Sequence, residues 1–69
     1  MSGGGYRTVL ASSVGERDGM SLELTLPDGE VVAEVFEEEE TGERTVTLFR
    51  RALPLETLLW FLAKVDAEL

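Results

Sequence analysis

From Met20 to Leu26 the chain alternates strictly, MSLELTL, placing Leu22, Leu24 and Leu26 on one side and Ser21, Glu23 and Thr25 on the other. A period of two is the pattern of a strand with one buried face and is incompatible with a helical stripe. Pro27-Asp28-Gly29 follows directly. Proline presets φ for a turn, aspartate bonds back to the backbone, and glycine supplies a positive φ, so the strand is expected to fold back on itself. The returning strand is Glu30–Glu38, and Thr41-Gly42 turns the chain again into Arg44–Arg50. Ahead of this pair of hairpins, Tyr6–Ser13 forms a first strand and Val14–Gly19 a polar connection.

The two turns fix testable registers. A two-residue loop at Asp28-Gly29 sets Leu26 against Val31, Leu24 against Ala33 and Leu22 against Val35. A two-residue loop at Thr41-Gly42 sets Val35 against Leu48 and Glu37 against Val46. Both choices collect the apolar positions on one common face, and a slip of one residue scatters them.

Pro54 suits the first turn of a helix, where its missing N–H costs nothing. Through Glu68 the spacing then lines up Leu55, Leu58, Leu59, Leu62, Val65 and Leu69 as a stripe. That stripe is the expected cover for the Leu22/Leu24/Leu26/Val35/Leu48 face. The fold class is therefore α+β: a four-stranded antiparallel meander followed by one C-terminal helix packed on one sheet face. Residues 6–69 form the single domain, and Met1–Gly5 is expected to be a flexible tail.

The residue inventory limits the chemistry. Among 69 residues there is no cysteine and no histidine. Disulfides, thiolate and imidazole metal ligands, and the usual neutral-pH bases and nucleophiles are thus all missing. No glycine-rich phosphate loop is present. No enzyme activity, cofactor or metal is expected. A chain this short buries only about 60% of its unfolded surface, so self-association is the remaining source of extra stability. No signal-peptide pattern and no apolar run of membrane-spanning length occurs. No membrane partner and a cytoplasmic location are expected.

Residues the core does not use are the functional candidates. On the opposite sheet face the registers place Glu23, Thr25, Val32, Glu34, Phe36, Thr45, Thr47 and Phe49. Phe36 opposes Thr47, with Phe49 one pair along and within diagonal reach. Val32, Phe36 and Phe49 are expected to form a small exposed apolar patch. Trp60 falls roughly 140° around the helix from Leu55 at 100° per residue, among Ala63, Lys64 and Ala67. It is the fourth candidate anchor.

Fourteen acids against six bases leave a net charge of −8. Six of the acids, Glu34, Glu37, Glu38, Glu39, Glu40 and Glu43, lie in one ten-residue stretch. They form an acidic surface suited to a basic partner and opposed to nucleic acid. The bases Arg7, Arg17, Arg44, Arg50 and Arg51 are few and scattered.

The order of four strands before a helix, entered through Leu53-Pro54-Leu55-Glu56, resembles the small single-stranded-DNA-binding fold of transcriptional coactivators. That resemblance implies a dimerising helix and nucleic-acid binding on the outer sheet face. Here that face carries Glu23 and Glu34 where bases are wanted.

The leading expectation is a non-catalytic interaction module, homodimeric, that regulates, inhibits or adapts a protein partner. The alternatives are a single-stranded nucleic-acid-binding regulator of the coactivator type, using Arg7, Arg44 and the two phenylalanines, and an acidic nucleic-acid mimic that inhibits a nucleic-acid-binding protein.

Overall fold

In a computed structural model, which describes residues 5–13 and 18–69, the chain forms β1 (Arg7–Ser13), β2 (Gly19–Thr25), β3 (Val31–Glu38), β4 (Arg44–Leu48) and α1 (Leu55–Glu68). The strands make one antiparallel sheet in the order β1-β2-β3-β4. This is the expected meander followed by a helix. Residues 1–4 of the expected Met1–Gly5 tail and residues 14–17 of the expected Val14–Gly19 connection, Arg17 among them, lie outside the described residues.

The first hairpin reaches the expected register by an unexpected route. Its loop holds three residues: the Leu26 N–H donates to the Glu30 carbonyl at 2.9 Å, and the Gly29 N–H donates to the Leu26 carbonyl at 2.8 Å. Gly29 has φ +95°, the left-handed position this loop requires. Asp28 Oδ1 accepts from the Glu30 N–H at 2.9 Å, the local bond that favours aspartate there. A three-residue loop pairs Thr25 with Val31, one residue out of step with the hydrophobic pattern. A bulge between Leu24 and Thr25 absorbs the offset, and beyond it Leu24 pairs with Ala33 and Leu22 with Val35, as the alternation demands.

The second hairpin is longer than a two-residue turn. The Glu38 N–H donates to the Glu43 carbonyl at 2.9 Å and the Gly42 N–H to the Glu38 carbonyl at 2.8 Å, leaving Glu39–Gly42 as a four-residue loop. Gly42 takes φ +73°. Thr41 Oγ1 donates to the Glu38 carboxylate at 3.0 Å and accepts from the Glu43 N–H at 3.1 Å. Val35 therefore pairs with Val46, Ala33 with Leu48 and Glu37 with Arg44, two residues from the expected register. An even shift leaves every side chain on its expected face, which is why the fold class is unaffected.

The core consists of Leu22, Leu24, Val32, Ala33, Val35, Phe61 and Val65. The helix presents Thr57, Phe61 and Val65 to the sheet, four residues apart on one line, with Leu58, Trp60 and Leu69 packed at its margins. This corrects the expected leucine stripe in part: Leu58, Val65 and Leu69 meet the core, whereas Leu55 and Leu59 face away and Leu62 lies at the open border of the sheet. The cause is the run Leu58–Leu62, five consecutive apolar residues that cover the full circumference at about 100° each, so spacing selects no unique face. Burying the ring of Phe61, worth roughly 2–3 kcal/mol by itself, decides the rotation. Pro54 caps the helix (φ −56°, ψ 135°) rather than entering its first turn, and its carbonyl accepts the Leu58 N–H at 3.1 Å.

Candidate functional site

The helix lies over β1 and β2. It leaves the same sheet face bare at the far edge, where β4 is exposed along its whole length. Val46 and Leu48 of β4, with Leu55, Leu59 and Leu62 of the helix, are between 41% and 68% exposed. By register Val46 and Leu48 lie on the core side, opposite Val35 and Ala33. A groove between β4 and the helix is lined by Val35, Val46, Leu62 and Val65, with Arg44 and Asp66 beside them. Apolar side chains are thus left unpartnered both at the sheet edge and on the helix flank, and the groove joins the two at Val46 and Leu62. Sequence reasoning missed this surface because it assigned Leu48, Leu55, Leu59 and Leu62 to the core and gave Val46 no role. The usable signal was arithmetic: one helix of this length cannot cover four strands.

The four expected anchors fare differently. Val32 is fully buried, because the bulge turns it inward beside Ala33 rather than to the outer face. Phe36 is also buried. It opposes Ser21 and Thr45, and its ring reaches diagonally over Gly19 of the neighbouring strand, where an added Cβ stands 2.8 Å from Phe36 Cζ. Phe49 is exposed, with its N–H bonded to the Val32 carbonyl at 2.9 Å. The shifted β3–β4 register carries it four residues beyond Thr45, the partner of Phe36, so the two rings do not meet. Trp60 is half-buried against the core and Lys64 Nζ sits 5.8 Å from its ring centroid, a cation–π pair one helical turn apart. The expected outer-face patch of Val32, Phe36 and Phe49 is therefore absent.

The outer face is mixed instead, with Val9 exposed beside acidic side chains. Glu23 and Glu34 are direct cross-strand partners, both half-buried. Like charges directly opposed destabilise a sheet, and among the described residues no ion pair is formed by either. Of the other acids, Glu37 holds Arg44 at 2.8 Å and Glu38 accepts from Thr41. Glu39, Glu40 and Glu43 are exposed at the hairpin. Among the described residues no group of three or more His, Cys, Asp or Glu is placed to hold a metal.

Two of the arginines, Arg44 and Arg50, are held in ion pairs. Arg44 joins three elements, donating to Glu37 at 2.8 Å and to Asp66 of the helix at 3.1 Å. Arg50 donates to Glu30 at 2.9 Å. The hydrogen bond that Arg44 donates to Glu37 first, and the negative charge of that carboxylate with it, raise the Arg44 pKa above its ordinary value. A raised arginine pKa in the folded chain contributes stability at neutral pH that is lost as pH climbs through the strongly alkaline range, so these pairs do not lose their cations in ordinary buffers. The pairs lie at or near the surface, and those of Arg44 tie β4 to β3 and to the helix.

No family model, no curated protein and no solved structure matches this chain. The chain is an α+β protein of four antiparallel strands and one C-terminal helix. Among the described residues, no helix is long and apolar enough to cross a membrane.

Proposed function

We propose that this chain is a non-catalytic, homodimeric interaction module that regulates, inhibits or adapts a protein partner. The observation that carries the reading is the open apolar surface of Val46, Leu48, Leu55, Leu59 and Leu62 on an otherwise strongly charged molecule. An apolar area rimmed by charge is the usual mark of a protein interface. Its rim is Arg44, Asp66 and Glu56, and the acidic hairpin with the Glu23–Glu34 pair adds a field that favours basic partners and raises their rate of encounter. The lack of His and Cys supports a non-catalytic role, since the commonest general base and the commonest thiol nucleophile are both missing. Single-stranded nucleic-acid binding has less support: Phe36 is buried and Arg44 is committed to two carboxylates.

Sedimentation equilibrium at high micromolar concentration tests the reading. The expected mass is twice that of the chain, and the Leu55→Gln/Leu59→Gln/Leu62→Gln triple variant is expected to keep its fold. A purely monomeric mass removes the homodimer. A labelled single-stranded oligonucleotide bound tightly at low salt, with a steep salt dependence, reverses the ranking of protein over nucleic acid.

A further inference from the structure

The free edge of β4 has the attributes of a self-pairing strand, and we infer that two copies join edge to edge through it, antiparallel, about a two-fold axis at Val46. The inference rests on the homodimer reading above and specifies its interface.

The backbone sets the phase. Glu43 and Phe49 both bond to β3, through the Glu43 carbonyl and the Phe49 N–H. In an antiparallel ladder bonded positions alternate, so Thr45 and Thr47 also turn to β3. The N–H and C=O groups of Arg44, Val46 and Leu48 turn to the open edge. Opposed residues of a continuous sheet share a face, so a two-fold axis has to pass through a residue rather than between two. Centred on Val46 it pairs Val46 with itself and Arg44 with Leu48 of the second copy, using every outward group for about six backbone hydrogen bonds. Centred on Thr47 it makes about four and opposes Arg44 to Arg50 of the second copy, a like-charge contact. Centred on Thr45 it runs out of the strand into the hairpin loop.

Side chains and charge select a second copy as the occupant. The Val46 axis sets Thr45 against Thr47 on the outer face, a favourable cross-strand pair, and Val46 against Val46 on the inner one. The strand is also charged oppositely at its two ends, with Glu39, Glu40 and Glu43 before it and Arg50-Arg51 after it. Antiparallel pairing lays the acidic end of each copy against the basic end of the other. Two chains of net charge −8 repel at long range, but that repulsion is screened beyond about 8 Å at physiological salt, and the local complementarity acts inside that distance. The result is one eight-stranded sheet with both helices on the same side. Val46 and Leu48 of the two copies then form a continuous apolar floor between the helices.

Cysteine crosslinking tests this, because the chain contains no native thiol. Val46→Cys brings two thiols together at the axis, with Cα atoms about 5.5 Å apart, inside the disulfide range. Thr47→Cys leaves Cα atoms about 8 Å apart, from the strand rise and spacing, too far to bridge. Under a mild oxidant the expected result is rapid covalent dimer from Val46→Cys and little from Thr47→Cys or from Leu10→Cys on the opposite edge. Val46→Lys, which opposes two ammonium groups at the axis, is expected to weaken the dimer at least tenfold. A wild-type dimer that crosslinks through Thr47→Cys or Leu10→Cys but not Val46→Cys overturns the inferred interface and leaves the homodimer standing. A monomeric wild type overturns both.

Discussion

Gly19 shows how much one missing side chain decides. It pairs with Glu38 at the start of β2, under the ring of Phe36. A Cβ there falls well inside contact of the Glu37 carbonyl oxygen as well as 2.8 Å from Phe36 Cζ. The carbonyl belongs to the β3 backbone and has no rotamer by which to move away. Gly19→Ala is therefore expected to lower stability by about 2 kcal/mol, within the range for overpacking a filled site, measured as a fall in the urea midpoint at unchanged slope. No comparable penalty is expected on steric grounds at Gly29 or Gly42, which have open space around them and are glycine for their backbone angle instead. In the sequence Gly19 counted only as part of a polar connection, because its reason for being glycine lies on another strand.

At the scale of elements, the strands were legible and the helix face was not. Two rows of alternating residues joined by a proline-aspartate-glycine turn admit one arrangement with a single apolar face. The bulge at Val32 and the four-residue second loop both preserve that face. Their presence was invisible because they depend on how the ladder closes, not on residue type. The helix offered no such constraint. With five apolar residues in succession, only the shape of the sheet face and the size of Phe61 select the buried line. Phe61→Ala is expected to cost about 3–5 kcal/mol, most of the stability of a domain this small. Leu59→Gln is expected to change the monomer's unfolding free energy by less than about 0.5 kcal/mol, as an exposed substitution. Equal effects at the two positions, read by chemical denaturation, contradict the observed rotation of the helix.

At the scale of the molecule, one 14-residue helix covers part of a four-stranded sheet and leaves the β4 side apolar and open. A chain that buries so modest a share of its surface gains from covering the remainder with a second copy. Dimerisation linked to folding makes stability depend on concentration. The thermal midpoint is expected to rise by several degrees between low micromolar and high micromolar protein, and the rise is expected to vanish in Val46→Lys. A midpoint independent of concentration excludes coupling between folding and assembly.

The sequence by itself determined the meander, the terminal helix, the acidic hairpin and the lack of histidine and cysteine, because each depends on periodicity, turn chemistry or composition along the chain. It also placed Leu22, Leu24, Ala33 and Val35 on one face. Only the tertiary structure decided which apolar residues remain outside. Val32 went inward at a bulge and Phe36 closed over Gly19. Trp60 settled against the core, while Val46, Leu48, Leu55, Leu59 and Leu62 were left uncovered. The physical reason is that a pattern assigns a residue to a side of its own element, whereas exposure depends on whether another element is large enough, and correctly placed, to cover that side.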